Sequence, residues 1–357
     1  MCKRVVVGLS GGVDSAVTAY LLKEQGYEVI GLFMRNWREE KEGFCTAEED
    51  FSDVRRIADT LGIRYYSVDF SEEYLVKVFK LFVEEYREGR TPNPDVLCNS
   101  EIKFQYFREY AEGAGADYIA TGHYADIEHR NGLNYLMRAR DENKDQTYFL
   151  NQVTNKQLDN VLFPLGGLIK PEVRAIAEKA GIPVAKKKDS TGICFIGERK
   201  FREFLSSYLP MKKGEIKTLD GKTVGEHDGV FYYTAGQRRG LGIGGKKEGA
   251  GDRWFVIKRD VKNNILYVSE GECGELFSDK LGLESFNFIP VKLEADRIPC
   301  MTRIRHRQPL QEAELIKSES GYTLEFKEPQ RAAAEGQYAV CYRGRYCIGG
   351  GKINKVY

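Results

Sequence analysis

KRVVVGLSGGVDSAVTAYLLKEQG, residues 3–26, is the stretch that decides the fold. Its first seven residues, Lys3–Leu9, hold three consecutive valines and read as a buried β-strand. Ser10-Gly11-Gly12-Val13-Asp14-Ser15 then turns the chain. Residues 14–25 read as a helix that Gly26 ends. In a strand–glycine turn–helix unit the backbone comes close to a bound anion, and the helix N-terminal amides point at it. The Ser10 and Ser15 hydroxyls add donors. The turn lacks the GK[ST] of a Walker loop and is not GxGxxG, which disfavours a dinucleotide site.

Outward from this unit the pattern repeats. Tyr27–Met34, Ile63–Phe70 and Asp117–His123 read as further strands, and 47–61 as a helix. Ser71 starts a long helix through Glu88, stopped by Gly89. Alternating strands and helices predict an α/β domain with a parallel sheet, binding ligands beyond the carboxyl ends of its strands. Residues 156–164, 171–180 and 199–209 read as shorter helices. After Leu209 glycines cluster (Gly236, Gly240, Gly242, Gly244, Gly245, Gly249, Gly251) and helical spacing fades. From about 285 short β runs follow: Met301–His306, Glu314–Lys317, Tyr322–Phe326, Gln337–Tyr342 and Arg345–Ile348. The expected organisation is an α/β domain over 1–205, a small β-rich domain over 206–284 and a β-barrel over 285–357.

With 357 residues, 42% hydrophobic and 30% charged, the chain has the composition of a globular protein and can bury real cores. No apolar run reaches membrane-spanning length, and Met1-Cys2-Lys3-Arg4 does not open a signal peptide. A cytoplasmic location with no membrane partner is expected. The 8 cysteines form no CxxC pair, so neither a zinc ribbon nor a thioredoxin motif is supported. The net charge of +1 conceals an acidic first 150 residues and a basic remainder that could face a polyanion.

Two cysteines stand apart from the apolar segments. Arg90–Phe104 (RTPNPDVLCNSEIKF) reads as a loop, because two prolines and two asparagines break regular structure. It carries Asp95 and Cys98. A carboxylate raises a nearby thiol's pKa, so Asp95 suits proton handling or substrate contact better than thiol activation. Ala185–Lys200 (AKKKDSTGICFIGERK) puts Cys194 between Gly192 and Gly197, with Lys186–Lys188 before it and Arg199 after. A positive setting favours thiolate, and flanking glycines suit a sulfur that receives a group and hands it on. A structural role for each cysteine stays open on residues alone.

SGGVDS at 10–15 resembles the signature of the PP-loop ATP pyrophosphatases. With NPDVLCNSEIKF (93–104), TGHYA (121–125), KDQTYFL (144–150), STGICFIGER (190–199), YTAGQRRGLGIGG (233–245), IRHRQ (304–308) and GGGKI (349–353), the resemblance narrows. Eight motifs in one order are similar to those of the tRNA-specific 2-thiouridylases, over nearly the whole chain. The resemblance implies ATP, with Mg²⁺, on Gly8, Leu9, Ser10, Gly11, Gly12, Val13, Asp14 and Ser15, with Met34 and Gly122 at the adenine or ribose. It implies Cys194 as persulfide carrier, Cys98 as nucleophile and Asp95 as general acid/base in 2-thiolation of the wobble uridine (position 34). The resemblance also implies that a Cys98–Cys194 disulfide is left behind. It further implies an upstream sulfur donor, a cysteine desulfurase or a persulfide relay protein.

The same resemblance places Asn93, Pro94, Asp95, His123, Lys144, Asp145, Gln146, Arg305, His306 and Gln337 at the target base or the tRNA. Arg303 and Arg307 extend a basic cluster in a strand. An alternative within the family is an iron–sulfur cluster on Cys98, Cys194 and Asp95. Two readings outside it are an amide-forming ligase that shares the adenylation step and an RNA-binding protein without turnover.

Overall fold

In the computed structural model, residues 2–38, 46–189, 201–209, 211–243, 253–319 and 321–357 are described. The valine run Val5-Val6-Val7 shows how the first layer forms. Strand side chains alternate between faces, so Val5 and Val7 enter one core and Val6 the other. The strands are β1 (Arg4–Gly8), β2 (Glu28–Arg35), β3 (Arg64–Asp69), β4 (Tyr118–Ala120) and, later in the chain, β7 (Val161–Leu162). They pair in parallel in the order β3-β2-β1-β4-β7. Sequence order reverses between β1 and β4, so the crevice lies beyond their carboxyl ends.

Helices α1 (Val13–Glu24) and α2 (Thr46–Leu61) cover one face, with Val17, Leu22, Val54 and Ile57 against Val5 and Val7. Two longer helical stretches cover the other. The first, α3, runs through Ser71–Tyr74, Leu75–Phe79 and Lys80–Arg87, and the second, α4, through Pro94–Leu97, Cys98–Tyr106 and Phe107–Gly113. The middle section of each is wound as π-helix, and in α4 that section begins at Cys98. Tyr74, Val78, Phe82, Ile102, Phe104 and Phe107 fill the space beneath Val6 and Leu32. Each such side chain contributes about 1.5–3 kcal/mol by burial.

Three expectations are corrected. Residues 94–104 are helix, not loop: Pro94 occupies the first helical turn, where its missing N–H costs nothing. Residues 156–164 hold a 3₁₀ turn (Lys156–Leu158) followed by β7 instead of a helix. A hairpin, β5 (Ala125–Arg130) and β6 (Leu133–Arg138), was not foreseen. Its turn, Asn131-Gly132, has both φ angles positive (54° and 74°), which is the Asn-Gly hairpin signal. β6 joins the C-terminal sheet through Met137 and Tyr346.

Among the described residues the remaining α-helices are α5 (Lys170–Lys179) and α6 (Phe201–Ser206). The central sheet orders β8 (Gly214–Thr218), β9 (Thr223–His227), β10 (Trp254–Asp260) and β11 (Ile265–Glu270) as β10-β11-β8-β9. Seven later strands follow: β12 (Phe277–Leu283), β13 (Asn287–Phe288), β14 (Arg297–Arg303), β15 (Gln311–Ser318), β16 (Gly321–Arg331), β17 (Tyr338–Arg343) and β18 (Tyr346–Val356). Six of them run β12-β16-β15-β14-β17-β18, with β13 paired to β18, and pairing of β12 with β18 closes the sheet into a barrel around Leu281, Leu315, Leu324 and Ile353.

Candidate active site

The phosphate loop is built by local bonds. The Ser10 backbone N–H donates to Ser15 Oγ at 3.2 Å, and Ser15 Oγ donates to the Gly12 carbonyl at 3.1 Å. Gly11 has φ +75°, and a Cβ there would sit 2.6 Å from the Asp50 carbonyl oxygen. Only glycine fits both demands. Gly122, just past β4, lies so close to the loop that its Cβ would meet Ser15 N at 2.8 Å. Gly12, at the N-cap of α1, receives no side-chain cap, so the first amides of α1 have no side-chain acceptor there. Leu9 and Val13 are buried and anchor the turn, while Ser10 is exposed. The Met34 methyl lies 3.4 Å from where a Cβ on Gly8 would be.

An ion network that sequence reasoning missed closes on Asp14. Lys170 Nζ donates to both Asp14 oxygens at 2.7 and 2.9 Å, and Tyr124 OH donates to Oδ1 at 3.0 Å. Lys170 also pairs with Asp189 at 2.8 Å. Asp189 in turn pairs with Lys144 at 2.5 Å and Arg174 at 2.8 Å. Partial burial works against the Asp189 carboxylate, but hydrogen bonds from Lys144 and Lys170 hold its pKa at about 2. Lys187 ties the Gly11 carbonyl (3.2 Å) to Asp50 (2.7 Å) and Asp53 (2.8 Å) on α2. One signal was available: a lysine opening a helix opposes the helix dipole unless carboxylates meet it.

Asp95 and Cys98 lie one turn apart on α4. Cys98 is 1% exposed, and burial raises the Asp95 pKa against a smaller opposing effect of Lys103. That is the direction a proton-handling carboxyl requires near neutral pH. α4 packs against the strand ends that carry the phosphate loop. Phe107 approaches within 3.7 Å of a Cβ built on Gly8, and the Phe104 ring is 6.0 Å from that of His123. Cys194 lies outside the described residues.

The other expected contact residues fall into two groups. Asn93, Pro94 and Gln337 come together: Asn93 Nδ2 donates to Gln337 Oε1 at 3.4 Å, and Gln337 Nε2 donates to the Thr91 and Pro92 carbonyls at 2.9 and 3.2 Å. Pro94 is buried. The second group faces inward. His123 is buried on Thr121 Oγ1 at 2.8 Å, and burial pushes its pKa well below the usual histidine value. Asp145 is fully buried, accepting from Thr147 Oγ1 at 2.9 Å and the Ala139 amide at 3.2 Å, with Arg303 3.6 Å away. Gln146 exchanges bonds with the Tyr124 backbone, its Oε1 accepting from N–H at 2.9 Å and its own N–H donating at 2.8 Å.

The basic cluster at 303–307 is not one strand face. β14 ends at Arg303, which is buried over the Tyr342 ring at 5.1 Å. Arg305 donates to the Ala235 and Ala332 carbonyls at 3.1 and 2.6 Å. The His306 ring packs, tilted, 4.5 Å from that of Phe149, leaving Arg307 as the exposed member of the four. Among the described residues no group of three His, Cys, Asp or Glu stands ready for a metal ion, and no helix is long and apolar enough to cross a membrane.

A glycine loop at the reversal point of a parallel sheet, followed by two β domains, marks a nucleotide-binding enzyme with two added β modules. Residues 3–198 match the tRNA methyl transferase HUP domain, 202–270 the tRNA methyl transferase PRC-barrel domain and 278–353 the aminomethyltransferase beta-barrel domain. The tRNA-specific 2-thiouridylase MnmA of Streptococcus pyogenes serotype M2 is 54% identical over 357 residues, covering 99% of this chain and 96% of the relative. That of Halalkalibacterium halodurans is 55% identical over 356 residues, covering 99% and 95%. The U34-tRNA thiolase NcsA of Methanococcus maripaludis is similar in structure only in part (TM-score 0.36, 19% identity, 57% of this chain and 63% of that one). The chain belongs to the tRNA-specific 2-thiouridylase family, and it is a tRNA sulfurtransferase that thiolates uridine.

Proposed function

We propose that the protein activates C2 of the wobble uridine (position 34) with ATP and replaces its oxygen by sulfur from a Cys194 persulfide. Uridine O2 attacks the α-phosphorus of ATP, pyrophosphate leaves, and O2 carries AMP. AMP is a far better leaving group than hydroxide. The terminal sulfur of Cys194–S–SH attacks C2, and Cys98 thiolate attacks the Cys194 sulfur. The S–S bond breaks, its electron pair stays with the sulfur on C2, and AMP departs with O2. A Cys98–Cys194 disulfide remains for an external thiol to reduce. Asp95 takes and returns the protons of these steps. The upstream donor of the persulfide sulfur is a cysteine desulfurase or a relay protein.

ATP phosphates would lie on the 8–15 loop amides, and Met34 and Gly122 would border the base or ribose. Mg²⁺, when bound with ATP, would neutralise phosphate charge, and Asp14 is the loop carboxylate that would hold it. The open amides of α1 suit an anion. The target base leaves its stack to enter the site. His123, Lys144, Asp145, Gln146, Arg305, His306 and Gln337 would act on the RNA mainly by shaping the surfaces it meets, since most of them are bonded inward. An iron–sulfur cluster would need Cys194 beside Cys98 and Asp95; the persulfide route needs none.

The observation that carries this reading is that the helix bearing Asp95 and Cys98 packs on the same strand ends as the phosphate loop. Anaerobic turnover with ATP, tRNA and either sulfide or a desulfurase tests it, with iron measured beforehand. One AMP and one pyrophosphate per thiolated base are expected from iron-free protein. Cys194→Ser should abolish thiolation and retain tRNA binding; thiolation persisting in that variant rejects the persulfide role.

A further inference from the structure

The five residues that lead into α4, Gly89–Asn93, are gripped from two other parts of the molecule. From the barrel side, the Thr91 N–H donates to the Glu335 carbonyl at 2.7 Å. Gly336, at φ +88°, lies so close that a Cβ there would be 3.0 Å from Thr91 backbone atoms. Glu85, at the end of α3, pairs with both Arg90 (2.7 Å) and Lys352 of β18 (2.8 Å). From the turn that follows β10, Val261 packs on Gly89, where a Cβ would sit 2.6 Å from Val261 Cγ2.

Arg259, on β10, is the centre of this grip. Its Nη2 donates to the Gly89 carbonyl at 2.6 Å and to Thr91 Oγ1 at 2.9 Å. Its Nη1 is buried and, among the described residues, has no hydrogen-bond partner. A buried guanidinium is costly unless its hydrogen bonds compensate. These bonds cross from one domain to a strap that is otherwise turn and coil. The strap hands its position to Pro94, and through the first turn of α4 to Asp95 and Cys98.

We propose that Arg259 is a positioning residue for thiolation: by holding Gly89 and Thr91 it fixes the strap that sets the pose of Asp95 and Cys98. This rests on the roles proposed above for Asp95 and Cys98. It makes the central domain part of the chemistry as well as of substrate capture. No atom of Arg259 is assigned to substrate.

Amide hydrogen exchange on the full chain tests it, read in peptides covering 89–98 with 4–15 and 338–348 as controls. The wild-type strap should exchange slowly. In Arg259→Met, exchange of 89–98 should quicken roughly tenfold or more, the effect of losing charged hydrogen bonds, with the controls unchanged. Thiolation kcat should fall by a similar factor with KM for tRNA held, and Arg259→Lys should restore part of it. Thr91→Val removes one bond and keeps the guanidinium, so a smaller rise, roughly threefold, is expected. It decides the matter if Arg259→Met does not fold. Rapid exchange of the wild-type strap, unchanged protection in the variants, or an equal rise in the controls would each overturn the proposal. A confined rise in exchange with no thiolation even by wild type supports the strap and counts against the proposed chemistry instead.

Discussion

The phosphate loop and the Asp95–Cys98 helix are held in opposite ways. The loop is closed by neighbours in sequence, Ser10 to Ser15, and by Gly11 at positive φ. The helix takes its place from residues far along the chain: Gln337 on Pro92, Arg259 on Thr91, and Gln157 Nε2 on the Ser100 carbonyl at 2.8 Å. The nucleotide end is therefore a local motif, whereas the thiol end is an assembly product. The two ends should fail separately, which gives the comparison its experimental content.

The largest effect is expected at the assembled end. Cys98→Ser should lower thiolation on the order of a thousandfold or more, as removal of a nucleophile does. Pyrophosphate release should continue in the first turnover. Loss of both together in a rapid-quench assay would show that the ends are not separable. At the local end, Gly11→Ala meets both left-handed backbone strain and the Asp50 carbonyl. Strain of about 1–3 kcal/mol makes a loss of roughly tenfold to a hundredfold in nucleotide turnover the expected result. Gly12→Ala, whose Cβ would find 3.4 Å to Ser10 Oγ at ordinary φ, should be far milder. Equal losses would break the claim that the turn's geometry is what glycine supplies.

This asymmetry also explains what could be read from the chain alone. The valine run, the glycine turn and the helix after it are near-neighbour features, so the parallel sheet and the loop were legible. Pro92 and Pro94 make the segment that opens α4 look like loop in the sequence, although Pro94 sits where a helix tolerates it. Its π-wound section and the half-buried setting of Asp95 depend on packing against the rest of the domain, which no local pattern encodes. Lys170 and Tyr124 reach Asp14 across 156 and 110 residues. Arg305 and His306 looked like a basic surface because charge is visible in a sequence and the direction of a side chain after a strand end is not.

A third prediction uses pH to compare the two carboxylates. Burial raises the Asp95 pKa, so between the ordinary aspartate value and the raised one the folded state binds more protons than the unfolded chain. Stability then falls as pH rises through that window, and Asp95→Asn should flatten the slope. Asp189 is held at about 2, below the ordinary aspartate value of 3.8, so it stabilises the fold above that ordinary value. That contribution is lost as pH falls from about 3.8 towards 2 and is on the order of 1–2 kcal/mol after solvent screening. Asp189→Asn should cost this much at neutral pH and nothing at the acid end. Denaturant titrations at several pH values would read both signs, and identical slopes for the two variants would refute the assignment.

The smallest effect separates an outward from an inward arginine in one short turn. Arg307 is exposed, with φ 66°, while Arg305 is spent on the Ala235 and Ala332 carbonyls. If Arg307 neutralises one phosphate of the tRNA, Arg307→Ala should weaken binding modestly and reduce the salt slope of log affinity by about 0.7–0.9. Melting temperature should not move. Arg305→Ala should do the reverse, leaving the carbonyls of half-buried Ala235 and buried Ala332 without their donor at a cost of about 1–3 kcal/mol in all, and altering the salt slope little. Filter binding at several salt concentrations, paired with thermal melts, distinguishes the two. A salt slope that drops for Arg305→Ala and not for Arg307→Ala would mean that the turn reorganises when RNA arrives, and that Arg305 exchanges its carbonyls for phosphate.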